Sequence, residues 1–244
     1  ILLDAGISGK ALKDNMSRLG MHQKDVNGVV ITHEHIDHIK GLGRILSFSD
    51  DNRLYCSAGT YEGIKEKHNN IPKEKVSIVT KSETFMVGDI EVKAFEVSHD
   101  SAEPLAFSFQ RNGKKISIVT DTGKVTPEIE SSIEGSDILI IESNHEENIL
   151  LYGRYPYHVK RRILSDVGHL SNEVAGACIS RYVKTLHNEK IPYVFLAHLS
   201  KENNTPAQAV LTVRNVLEES NLYVGKDLRM EVIKPNEAGN FLVI

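Results

Sequence analysis

Short apolar, β-branched runs recur along the chain and predict strands at residues 29–31, 76–79, 90–97, 105–109, 116–119, 138–141, 193–197 and 230–233. Several are apolar throughout, the pattern of strands covered on both faces. Between them the apolar period lengthens to that of helices. Leu12, Met16 and Leu19 form a stripe that Gly20 closes, and Ser171 or Asn172 is placed to cap a helix carrying Val174, Cys178 and Val183. Thr205-Pro206-Ala207-Gln208 is a helix start: Thr205 caps, Pro206 takes the first helical position, Gln208 is placed to reach back, and Val210, Val213 and Leu217 share one face. Strand groups separated by helices predict an α/β layered architecture whose topology the pattern alone leaves open. Ile1-Leu2-Leu3-Asp4-Ala5-Gly6 opens as if already inside a strand, so an earlier N-terminal segment, with a further strand, is expected before it.

No repeat, low-complexity tract or Pro/Gly/Ser linker divides the chain, so its 244 residues are expected to form a single domain, 1–244. With 40% hydrophobic and 25% charged residues it falls among globular proteins and outside the disordered and collagen-like classes. The formal charge of −4 provides no global positive field for a polyanion, so any nucleic-acid contact has to be local. Cys56 and Cys178 are too few for a disulfide framework, which fits a reducing cytoplasm. Neither a membrane-length apolar run nor a secretory signal is visible.

Four of the apolar runs end alike. Ile31 leads into Thr32-His33, Val119 into Thr120-Asp121, Ile141 into Glu142, and Ala197 into His198. Buried strands hold their terminal side chains rigidly, so these polar ends predict one functional rim. The densest signal is His33, His35, Asp37 and His38. In an extended segment His33, His35 and Asp37 project to one side, while a turn before Gly41 aims His38 toward a second ion. Imidazole and carboxylate suit zinc, manganese or iron, and the lack of a nearby cysteine argues against a closed structural zinc site. A solvated histidine-rich loop has no reason to follow a buried strand at this spacing. Arg154, Lys160, Arg161 and Arg162 make the concentrated basic stretch, with Tyr152, Tyr155 and Tyr157 interleaved. Such a stretch either holds phosphates while a tyrosine stacks on a base, or is a solvated face over packed tyrosines.

His33-Glu34-His35-Ile36-Asp37-His38 resembles the HxHxDH signature of metallo-β-lactamase-fold hydrolases. The resemblance implies a four-layer αββα fold, two packed mixed sheets flanked by helices. It implies that Asp4 orients the ligand loop without binding metal. One ion then takes His33, His35 and His99, the other takes Asp37, His38 and His198, and Asp121 bridges them. Two divalent transition-metal ions, Mn2+ or Zn2+, would lower the pKa of a bound water from about 15.7 to about 7 and clamp phosphate oxygens, which favours hydrolysis. Segments 3–11, 32–43, 141–145, 155–156, 160–163, 168–173 and 198–206 further resemble the YycJ/WalJ subgroup, whose members look like nucleases. The subgroup's glycine-rich segment before the first aspartate is absent. His169 is placed like the second histidine motif of tRNase Z enzymes, which implies that it protonates the leaving group. Asp37, as a ligand, and His169, as an acid, are therefore the candidate catalytic residues. His145 either lines the same rim or makes a structural hydrogen bond, and His22, His68, His158 and His187 have no motif context.

The expected function is a metal-dependent phosphodiesterase, by resemblance a 5′ to 3′ DNA exonuclease that contacts DNA through Lys160, Arg161 and Arg162. The chain is too short for the β-CASP insertion of RNase J enzymes and lacks the Gly/Pro-rich arm of tRNase Z enzymes. The alternatives are hydrolysis of a small cyclic phosphodiester, thioester or lactam on the same ions, and a non-enzymatic regulatory module stabilised by metal. The full ligand set argues against the last.

Overall fold

A computed structural model describes residues 1–48, 52–186, 190–234, 239 and 242–244. Its strands form two sheets. The first contains β1 (Leu2–Leu3), β2 (Gly28–Val30), β3 (Arg53–Cys56) and β4 (Val76–Ile78) in that order. The second contains β5 (Thr84–Val87), β6 (Ile90–Glu96), β7 (Leu105–Arg111), β8 (Lys114–Val119), β9 (Ile138–Glu142), β10 (Tyr193–Ala197) and β11 (Arg229–Val232), ordered β11-β10-β9-β8-β7-β6-β5. The first sheet is parallel throughout, so the expected mixed character belongs to the second, where β5 and β6 are antiparallel and β8 to β11 run parallel. Parallel neighbours require crossover connections, and helices supply them.

By packing, the chain falls into two compact units, one built on residues 1–96 and 101–107, the other on 97–100 and 108–235. In the first, α1 (Gly9–Arg18) returns β1 to β2, α2 (Ile36–Ile39) and α3 (Leu42–Leu46) return β2 to β3, and α4 (Ala58–Lys67) returns β3 to β4. Leu12 and Met16 of α1, Ile39 of α2, Ile45 of α3 and Ile64 of α4 pack with Val29, Ile31 and Leu54 as one core. Truncating a fully buried member such as Leu54 to alanine costs about 2–5 kcal/mol. Ser8 caps α1 and Gly20, at φ 68, accommodates the left-handed turn after it.

In the second unit, β8 to β11 are linked through α5 (Pro127–Ile133), then α6 (Glu147–Tyr152), α7 (Tyr157–Ile163) and α8 (Asn172–Thr185), and finally α9 (Pro206–Glu219). Buried Leu139, Ile141, Val194 and Leu196 come from the strands, and Cys178, Ile179, Val213 and Leu217 from α8 and α9. β7 turns into β8 through Asn112-Gly113, whose φ values of 51 and 75 are those of a tight two-residue hairpin. Among the described residues no helix is long and apolar enough to cross a membrane.

Every strand-forming run read from the sequence is a strand. β3 and β5 were not expected, because each alternates buried and more exposed positions over only four residues. Ser171, not Asn172, caps α8, and Val174 is 39% exposed, so the buried stripe of that helix is Cys178, Ile179, Tyr182 and Val183 without it. Thr205 accepts from the Gln208 N–H, but the Gln208 side chain does not reach back. It bonds Glu146 and Thr212, while Asn204 Oδ1 accepts from the Thr205 N–H.

Candidate metal centre

β1 and β2 are parallel neighbours and deliver Asp4 and Thr32-His33 at adjacent ends. Asp4 has φ 54, which bends the chain out of the strand at once. Its carboxylate accepts from the Thr32 N–H and hydroxyl, both at 2.9 Å, and lies 2.8 Å from His38 Nδ1. A carboxylate only accepts, so the His38 proton sits on Nδ1 and the Nε2 lone pair is left for a ligand. Thr32 Oγ1 also lies 3.0 Å from His33 Nδ1. The His33 ring centroid is 4.5 Å from that of His35 and 4.1 Å from that of His38.

The extended geometry expected for this loop stops at His35. Ile36 begins the helical turn α2, so Asp37 and His38 are presented by a helix rather than an alternating strand. Backbone pairing explains it: Ala5 N–H donates to His38 O and Gly41 N–H to Ala5 O, both at 2.7 Å. Gly6 permits this approach, since a Cβ there would lie 1.5 Å from Asp37 O. His33 and His38 are buried, whereas the Asp37 side chain is 69% exposed.

β8, β9 and β10, also parallel neighbours, deliver Asp121, Glu142 and His198. Asp121 and His198 adopt φ 57 and 56, the same left-handed break seen at Asp4. Non-glycine residues in that region are uncommon and concentrate at functional sites. Asp121 Oδ1 lies 3.7 Å from His99 Nε2 and 3.4 Å from His198 Nε2. Glu142 is fully buried, and its Oε1 accepts from both His169 Nδ1 at 2.8 Å and His198 Nδ1 at 2.7 Å. Its Oε2 accepts from the N–H groups of Thr122 and Leu170, each at 3.2 Å. Burial pushes the Glu142 carboxyl up, but the hydrogen bonds and charges of His169 and His198 outweigh it and hold the group well below the usual carboxylate range. His99 Nδ1 donates to Gly168 O at 3.1 Å, and burial, against the pull of Asp121, lowers its pKa. It is thus kept in the neutral form that ligates metal.

Ligand atoms of Asp121, Glu142, His169 and His198 lie within 4.8 Å of one another. The donor chemistry fits divalent ions, because Asp4, Gly168 O and Glu142 occupy Nδ1 of His38, His99 and His198 and leave each Nε2 for coordination. The role of Glu142 was not legible beforehand. Its signals were a polar residue closing a buried strand and a place in the segment 141–145, neither of which names its partners, which lie 27 and 56 residues away.

A cavity of about 400 Å³ opens beside His169 and His198. Tyr155, Val159, Ile163 and Leu199 line it, with the cations Arg162 and Lys201. The three basic residues expected to bind substrate have different surroundings. Lys160 Nζ donates to Leu151 O at 2.7 Å and Gly153 O at 2.8 Å, closing the end of α6. Arg162 forms a two-point pair with Asp100, with one bond of 2.9 Å, next to His99. Arg161 is exposed, its guanidinium 5.9 Å from the Tyr157 ring centre. His145 is buried and neither ring nitrogen has a hydrogen-bond partner among the described residues. His22 caps a short turn, His68 bonds Ile39 O, His158 is exposed, and His187 lies outside the described residues.

The family model for the β-lactamase superfamily domain matches residues 1–187. Exodeoxyribonuclease YycJ of Bacillus anthracis is 39% identical over 235 residues, covering 96% of this chain and 87% of that protein. Exodeoxyribonuclease WalJ of Streptococcus pneumoniae serotype 2 is 35% identical over 240 residues, covering 98% and 87%. Among solved structures, the metallo-β-lactamase fold protein YhfI of Bacillus subtilis superposes with a TM-score of 0.67 at 15% identity, over 95% of this chain and 83% of that one, a likeness of fold.

Proposed function

This chain belongs to the β-lactamase superfamily, and from that premise we propose that it is a metal-dependent exonuclease degrading DNA from the 5′ end toward the 3′ end. The observation that carries the proposal is the buried Glu142 carboxylate, which holds both His169 and His198 beside Asp121. The names of the YycJ and WalJ relatives supply the substrate class. We assign His33, His35 and His99 to one ion, Asp37, His38 and His198 to a second, and Asp121 to both. Manganese is the preferred active ion, and zinc is expected to dominate a purified sample because mixed nitrogen and oxygen sites bind it tightly.

Bound there, the two ions supply an acidified water, its pKa lowered from about 15.7 toward about 7, and positive charge to match phosphate oxygens. The chain's own residues do the rest. Asp4 fixes the His38 ring and the Thr32 backbone, so the ligand loop is held in place before substrate arrives. Glu142 fixes the His169 ring through Nδ1, leaving Nε2 to carry the proton delivered to the departing oxygen. Proton transfer of this kind contributes typically ~10²–10⁴ in rate. On α7, exposed Arg161 is the member of the Lys160, Arg161, Arg162 stretch that reaches DNA phosphates, and its two neighbours hold that stretch in shape. Residues 1–244 act as one catalytic domain, in the cytoplasm, where Cys56 and Cys178 stay reduced; burial pushes both thiols up to about 12.

The test is to incubate metal-reconstituted protein with end-labelled single- and double-stranded DNA and RNA. A 5′ label on DNA should leave as a mononucleotide while a 3′-labelled strand shortens as a ladder, and Asp37→Ala should abolish both. Internal cuts, or turnover of small phosphate esters with DNA left intact, would overturn it in favour of a different hydrolase.

A further inference from the structure

We propose that the cavity beside His169 and His198 is a mononucleotide pocket, the seat of the nucleotide being released, with Lys201 as its phosphate contact and Tyr155 as the face for its base. It rests on the nuclease function proposed above, and it follows from three features of the cavity.

The first is position. In cleavage from the 5′ end, a water oxygen bonds to the phosphorus of the second nucleotide and the bond from that phosphorus to O3′ of the first nucleotide breaks. The departing O3′ takes up a proton, and His169 is the group assigned to give it. The nucleotide attached to that oxygen must therefore lie beside His169, which lines the cavity. At about 400 Å³ the cavity falls within the range of small-ligand pockets, roughly 300–1,000 Å³.

The second is lining. Val159, Ile163, Leu199 and Tyr155 offer apolar and aromatic contact, which suits the faces of any base. Of the polar groups at the cavity, one Asn144 amide N–H is taken by His198 O at 2.9 Å, and Ser200 Oγ accepts from the Asn203 N–H at 3.2 Å and its amide at 3.3 Å. Stacking on an aromatic face tolerates any of the four bases.

The third is charge. Arg162 is matched by Asp100. Lys201 is exposed and makes no ion pair or hydrogen bond among the described residues, so it is the unmatched cation at the cavity. It stands three residues after His198, on the turn that leaves the end of β10.

Calorimetric titration of the metal-loaded protein with thymidine 5′-monophosphate and with thymidine tests the pocket. Lys201→Ala should weaken the monophosphate about tenfold and leave thymidine unchanged, since one charge-assisted bond is lost. Tyr155→Ala should weaken both about tenfold, the effect of losing one stacking face. Lys201→Arg and Tyr155→Phe should restore binding, and metal content should be constant across the set. Unchanged monophosphate affinity in either alanine variant overturns the proposal. The same preparations are assayed on labelled DNA: wild-type degradation beside unmoved affinities removes the pocket and keeps the nuclease, whereas binding through Lys201 and Tyr155 with intact DNA keeps the pocket and removes the nuclease.

Discussion

One oxygen of Glu142 accepts from two imidazoles, so the orientations of His169 and His198 are set together. Glu142→Gln should disturb both at once, because the shared negative charge is lost and the amide NH2 opposes either the two Nδ1–H groups or, turned the other way, the N–H groups of Thr122 and Leu170. Loss of such an outer acceptor typically lowers metal affinity by ~10–100-fold, and competition with a chromogenic chelator would measure it. An unchanged affinity would mean that Glu142 is a packing group. His169→Ala should behave differently: both ions stay and cleavage slows by ~10²–10⁴, with much of the loss recovered on a substrate carrying a better leaving group. Loss of an ion in that variant would make His169 a ligand. At this scale the dense run His33 to His38 was legible because its donors are close in sequence. Glu142 and Lys201 were not, because a lone acid after a strand and a lone lysine in a turn acquire meaning only beside partners the fold brings to them.

Helix α7 shows how a run of like charges divides its work. Lys160 bonds two carbonyls at the end of α6, and Arg161 faces solvent. Lys160→Ala should therefore cost about 1 kcal/mol of stability and lower Tm by about 2–4 °C, without altering the salt dependence of DNA binding. Arg161→Ala should do the reverse, leaving Tm in place and making the slope of log affinity against log salt shallower by about 0.7 on single strands. Equal effects from both would show that the stretch acts as one surface. The element pattern itself was largely readable, since eight strands announce themselves by apolar runs. Half-exposed β3 and β5 do not, and the Gln208 side chain went to Glu146 and Thr212 because those partners come from tertiary structure and not from the capping pattern.

For the whole molecule, strands alternating with helices made the α/β class legible, while the two packing units were not, because the chain passes from one to the other at residues 97–108 with no linker composition to mark it. In the second unit β8, β9 and β10 run in one direction, so Asp121, Glu142 and His198 all gather at their C-terminal ends. The hairpin turn Asn112-Gly113 precedes β8 and therefore lies at the opposite end of that strand, whose six residues span about 20 Å. That separation makes the turn an attachment point: a short epitope or a fluorophore-bearing loop inserted between Asn112 and Gly113 should tether or report on the enzyme while leaving metal content and turnover unchanged. A surface-immobilised enzyme held by this turn should digest DNA supplied in flow, and one held through Lys201 should not.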